Sequence, residues 1–234
     1  MEHHYSILYG PVNKLAHALG LHVEVPDHVI MALVVLLVSL ILFPFVAKGL
    51  SKDNPSNVQQ FLETIVEGLK GLLEDVVGHG ASQRFLYIIG GFAVFIFLSN
   101  IFGLLYFLQP PTGNYNTTLA LAITSFLYYN VQGIKAQGVV HYLKHFMGPV
   151  LWLTPLMIVV ELIGHLARNL SLSMRLFGNI FGEHSVTGVF AGMFPLGLPM
   201  PMMAFGIFGA VLQTFIFIML TMVYIGLAVA KEEH

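Results

Sequence analysis

Apolar residues follow two patterns along this chain. In the first they are almost unbroken, over about 28–47, 85–108, 117–133, 150–190 and 202–230. Each run reaches the roughly 17 to 25 residues that a helix needs to cross about 30 Å of hydrocarbon. In the second they recur every three or four positions. Phe61, Leu62, Ile65, Leu69, Leu72, Leu73 and Val76 share one face, and Gln59, Glu63, Glu67, Lys70 and Glu74 take the other. This predicts an amphipathic helix over 55–78, with Asn54 as N-cap and Pro55 in the first turn. Its polar face is acidic, so attraction to anionic lipid explains it poorly, and a place at the membrane interface against other protein helices explains it better.

The fourth run departs from both patterns. Between 150 and 190 it carries Glu161, His165, Arg168, Asn169, Arg175, Asn179, Glu183 and His184. On a helix Glu161, His165, Arg168, Arg175, Asn179 and Glu183 fall within about 40° of one line. The opposite side is Leu, Ile, Val, Met and Phe, which rules out a water-soluble amphipathic helix. An ionisable group in hydrocarbon costs about 2.5 to 3.5 kcal/mol, so the stripe must face protein or water inside a membrane.

Composition agrees. The chain is 56% hydrophobic and 9% charged, against about 25% charge for a soluble domain. A net charge of −2 excludes a nucleic-acid binder. With no cysteine there is no disulfide or thiolate site. Scattered His3, His4, His17 and His22, and the pair His141 and His145, lack the spacing of a metal site, so neither metal nor cofactor is expected. The first apolar run is too long and wrongly flanked for a signal peptide and is read as a retained span. The chain then divides into an outer N-terminal segment, 1–27, and one membrane domain, 28–234. Lys48, Lys52, Lys70 and Arg84 lie between the first two spans and Lys135 and Lys144 between the third and fourth. The turn at 109–114 and the segment 191–203 hold no Lys or Arg. The positive-inside rule then predicts five crossings, with the N-terminus outside and the C-terminus cytoplasmic. The fold class expected is an all-α polytopic membrane protein with one interfacial amphipathic helix.

The last two helices are too long for the bilayer. Residues 150–190 would span about 60 Å and 202–230 about 43 Å, so both must lie steeply tilted, as an antiparallel hairpin. Glu161 then lies about 21 Å along the helix from Arg175 toward the cytoplasm, and Glu183 and His184 about 12 to 14 Å beyond it toward the outside.

Ser171-Leu172-Ser173-Met174-Arg175-Leu176-Phe177-Gly178-Asn179, preceded by Glu161 and followed by Leu212-Gln213-Thr214-Phe215-Ile216-Phe217, resembles subunit a of the F-type ATP synthases. The resemblance implies a noncatalytic stator subunit of the Fo sector in a bacterial inner membrane. Its implied partners are a rotating ring of c subunits, the peripheral stalk subunit b and the rest of the F1Fo complex. It also implies an essential arginine, Arg175, facing the carboxylate of a c subunit. An outer half-channel is expected along Glu183, His184 and Gln213, and an inner one along Asn179, Ser171 and Glu161. Three positions depart from the family: His184 stands where some relatives have an acid, Gly206 where many have His or Glu, so that Glu183 is expected to supply the missing carboxylate, and Asn169 where relatives often have proline, which is expected to affect only local helix geometry. No GxxxxGK[ST] phosphate loop occurs, so the chain does not bind ATP itself. A self-contained secondary transporter or a membrane scaffold remain the alternatives; the two halves show no repeat of the kind transporters carry.

Overall fold

A computed structural model of the protein describes residues 6–18, 24–52, 54–104, 108–139, 142, 154–193 and 199–230. His3, His4, His22, His141, Lys144, His145, residues 150–153 of the fourth apolar run and the turn at 194–198 lie outside the described residues. The elements are α1 (Tyr9–Ala18), α2 (Asp27–Lys48), α3 (Asn57–Val76), α4 (Ala81–Gly103), a 3₁₀ turn (Pro111–Gly113), α5 (Tyr115–Gln137), α6 (Thr154–Met193) and α7 (Pro199–Val229). Helices α2, α4, α6 and α7 are each long and apolar enough to cross a membrane. Helix α5 has 23 residues but a mixed surface. Its Thr118, Ser125 and Tyr129 are turned inward and buried.

The ends of several helices differ from expectation for identifiable reasons. Helix α3 is capped by Ser56, whose hydroxyl accepts from the Gln59 N–H at 3.2 Å, and Asn54 lies outside the helix. The Gln59 side chain turns back to Ser51, donating to its carbonyl at 2.9 Å and accepting from its N–H at 3.0 Å. Helix α4 starts earlier than its apolar run, at Ala81, because Glu74 of α3 supplies what its glycine N-cap lacks. The Glu74 carboxylate accepts from the N–H of Gly80 at 2.7 Å and of Ser82 at 2.9 Å. Gly80, at φ 82°, takes the left-handed conformation that turns the chain there. At the far end α4 stops at Gly103, short of the predicted 108, before the Pro110-Pro111 turn. The N-terminal segment, for which no helix was predicted, contains α1. Asn13 holds it by exchanging hydrogen bonds with the Val25 backbone, and Asp27, at the start of α2, accepts from the N–H and hydroxyl of Ser6.

The core lies where α4, α5, α6 and α7 meet, around Phe85, Ile89, Phe92, Ile96, Leu172, Leu176, Phe217, Met222 and Ile225. Residues of this size, fully removed from the surroundings, hold the bundle by close packing. Ser125 and Thr221 hydroxyls join α5 to α7 at 3.2 Å. Gln137 of α5 donates to the Ala228 and Ala230 carbonyls at 3.1 and 2.8 Å, satisfying two acceptors left over at the end of α7. Helix α3 joins the core only through its C-terminal half, at Leu69, Leu72, Leu73 and Val76. Its Val58, Phe61 and Ile65 stay exposed. Helix α2 buries Ile30, Met31 and Val35 and leaves the rest of its apolar surface outward, Phe45 at 81% exposure. A helix that presents Leu and Phe on most sides suits lipid.

Candidate functional site on the long polar helix

Helix α6 runs unbroken through 40 residues. It rests on its neighbours through Leu172, Ser173, Leu176 and Ile180, which are buried. The polar line predicted from the sequence falls at the edge of that packed face. Its residues therefore meet three different surroundings as the helix proceeds.

At the Thr154 end, Glu161, His165 and Arg168 border a cavity of about 200 Å³, closed on the other side by Tyr129, Tyr142 and Tyr224. His165 is 8% exposed. Its Nε2 lies 3.3 Å from Glu161 Oε1 and its Nδ1 3.0 Å from the Tyr129 hydroxyl. Arg168 faces the same carboxylate oxygen at 3.9 Å. His165 thus pairs with Glu161 one turn away, and Arg168 faces the same carboxylate. The place of Tyr129 on α5 and Tyr142 after it was not readable from the chain, because such aromatic residues look like ordinary core until their hydroxyls are located.

In the middle stands Arg175. It is exposed and makes no hydrogen bond or ion pair with any other described residue. Ser171, one turn before it, is also exposed and lies outside the lining of the cavity at Glu161. Asn179, one turn after, is exposed on the side of α7, its Nδ2 lying 3.7 Å from where a Cβ on Gly209 would be. Gln213 of α7 is 3% exposed, and its amide nitrogen has no partner among the described residues. A buried amide left unpaired is a place where a water or a moving polar group is accepted readily.

Beyond Arg175, Glu183 and His184 diverge. The Glu183 carboxylate occupies the space in front of Gly206: a Cβ there would lie 2.0 Å from Glu183 Oε1. His184 points the other way, with Nε2 3.1 Å from a Cβ on Gly103, and borders a cavity of about 590 Å³. Glu24, Asp27, His28 and Asn114 line that cavity as well. Those four were missed in the sequence, where Glu24 and Asp27 fall in the outer segment, His28 at the start of the first span and Asn114 in the 109–114 turn; the one signal was acid and histidine gathered at the start of that span. Asn100 of α4 is 2% exposed and accepts from the Thr112 hydroxyl at 2.8 Å. It ties α4 to the 3₁₀ turn, while its amide nitrogen has no partner among the described residues.

The assembled features are a long helix with ionisable side chains toward both ends and a free guanidinium between them. Known proteins share this sequence closely. Residues 28–226 match the family described as the ATP synthase A chain. The chain is 42% identical over 226 residues to ATP synthase subunit a of Trichlorobacter lovleyi, covering 96% of each. It is 43% identical to that of Syntrophobacter fumaroxidans, covering 100% of this chain and 99% of the relative. With that of Geobacter sulfurreducens it shares 41% identity over 190 residues, 81% of this chain and 82% of the relative. Agreement of this extent, along nearly the whole membrane domain, establishes that the chain belongs to the ATP synthase subunit a family.

Proposed function

We propose that this subunit is the stationary half of a proton-translocating motor in the Fo sector, with Arg175 separating two half-channels that open to opposite sides of a bacterial inner membrane. The outer path follows His184, Glu183 and Gln213, and the inner one Asn179, Ser171 and Glu161. The chain crosses five times, α5 included, with its N-terminus outside. At about 60 Å and 46 Å, α6 and α7 exceed the hydrocarbon and lie inclined in it. A continuous water wire would discharge the membrane; a guanidinium stays charged and does not pass protons on, so it blocks the leak. A carboxylate on a partner c subunit is drawn to it when ionised and let go when protonated. Protons then cross by riding on the ring of c subunits, held in place by subunit b and the rest of the F1Fo complex.

The observation that carries this reading is the state of Arg175. It stands about 10 Å along α6 from Arg168, which borders one cavity, and about 8 Å from Ile180, which borders the other. It is exposed, with no carboxylate among the described residues to neutralise it. A scaffold would use an internal ion pair at such a position. Arg175→Ala is expected to leave the F1Fo complex assembled and to abolish ATP-driven proton pumping in inverted membrane vesicles. An assembled variant that pumps normally refutes the gate, and loss of assembly favours the scaffold.

A further inference from the structure

We propose that His165 is a proton-relaying residue at the cytoplasmic mouth of the inner path, passing protons between Glu161 and water in the cavity behind it. This rests on the half-channel reading above. The imidazole is held at both nitrogens. Nδ1 meets the Tyr129 hydroxyl at 3.0 Å, and Nε2 meets Glu161 Oε1 at 3.3 Å. The Tyr129 ring lies stacked on it at 6.0 Å between centroids, and Phe126 of the same helix meets it edge-on at 6.2 Å. The ring is thus fixed in one orientation with one edge toward the carboxylate.

The ionisable groups around it come from every neighbouring element: Glu161 and Arg168 from α6, Tyr129 from α5, Tyr142 after α5 and Tyr224 from α7. The cavity volume of about 200 Å³ has room for several waters, each needing about 30 Å³. Carboxylates ordinarily titrate well below neutral pH and carry few protons there, whereas an imidazole exchanges protons near neutrality. With Nδ1–H donating to the Tyr129 oxygen, Nε2 carries the acceptor lone pair on the edge that faces Glu161. The proton leaves Glu161 Oε1 for His165 Nε2, giving an imidazolium beside a carboxylate. The same nitrogen then releases a proton to cavity water and the neutral ring is restored. Run backwards, the same two transfers load Glu161 from the cytoplasm during ATP-driven pumping.

The test is passive proton conduction by the complete Fo sector in proteoliposomes, driven by a potassium diffusion potential, with the pH on the cytoplasmic side varied. His165→Gln keeps a hydrogen-bonding side chain but cannot hold the extra proton. It is expected to lower conduction at least about tenfold near neutral pH, and added imidazole on the cytoplasmic side is expected to restore it. Tyr129→Phe is expected to move the pH of half-maximal conduction. Wild-type conduction by H165Q at every pH overturns the relay, and so does a loss that imidazole cannot restore, which marks a purely structural role. If H165Q does not assemble, Y129F decides, and an unchanged pH profile overturns the proposal. Glu161→Gln keeps the two readings apart. If E161Q is impaired and H165Q is not, the relay fails and the inner path stands; if both conduct normally, the inner path itself fails.

Discussion

Gly206 and Glu183 divide one position between two helices. A side chain at 206 has no room while the Glu183 carboxylate stands there, since even a Cβ would come within 2.0 Å of it. The family pattern made Gly206 visible as a departure in the sequence, and Glu183 was the nearest acid to compensate for it. Only the packing of α6 against α7 could show that the two share one space. The exchange should therefore work in reverse. Glu183→Gly alone is expected to reduce ATP-driven proton pumping by about tenfold or more, and Gly206→Glu alone to reduce it by crowding. The double variant E183G/G206E, with the acid on the opposite helix, is expected to pump better than either single one. Fluorescence quenching in inverted vesicles measures all three. A double variant no better than its worse parent would show that the carboxylate does not act from this shared position. By contrast, the bonds between Tyr129, His165 and Glu161 were only half legible. The i, i+4 pair within α6 follows from spacing, while the α5 hydroxyl comes from 36 residues away.

Among the elements, α3 and α4 show how local chemistry and packing share the work. The alternation of apolar and acidic residues predicted α3 to within two residues. Its first residue depended on a competition between Asn54 and Ser56 that the Ser56 hydroxyl wins. The start of α4 depended on a carboxylate from the preceding helix. Hydrogen bonds from the Ser82 hydroxyl and backbone, and from the Gly80 backbone, hold the Glu74 carboxyl below its usual value of 4.5. Its contribution to the corner is therefore complete above pH 4.5 and is lost as pH falls through the lower, folded-state value. Thermal unfolding in detergent should show Glu74→Gln less stable than the unaltered protein at pH 7, with the gap closing as the pH is taken below about 4. A gap that stays constant down to pH 3 would mean that the carboxylate charge plays no part in the cap.

At the scale of the molecule, α6 and α7 bury one side each and leave Phe181, Val186, Phe205, Phe208, Val211 and Phe215 outward. Arg175 opens onto the unpacked side of α6. A rotating partner needs such a surface, apolar for sliding and charged at one point. Because the chain has no cysteine, introduced ones report cleanly. A cysteine at Gly178, where a Cβ would meet open space, is expected to crosslink to cysteines placed near the membrane carboxylate of a c subunit. One at Leu172, 2% exposed and a turn before Arg175, is expected not to. Crosslinking from Leu172 and not from Gly178 would put the ring on the wrong side of α6.

What the sequence determined unaided is the set of helices from α2 to α7, their order and the presence of a polar line on α6; α1 was not among them. These follow from short-range periodicity and from the cost of charge in hydrocarbon, both readable from neighbours along the chain. The family followed as well, through one uncommon motif. Tertiary structure alone decided that Glu183 fills the space before Gly206, that Tyr129 reaches His165, that the N-terminal acids gather around His184, and that Arg175 keeps no partner of its own among the described residues. Each of these depends on which faces of distant helices meet, and hydropathy is silent on that, because an apolar side chain looks the same whether it packs against protein or lipid.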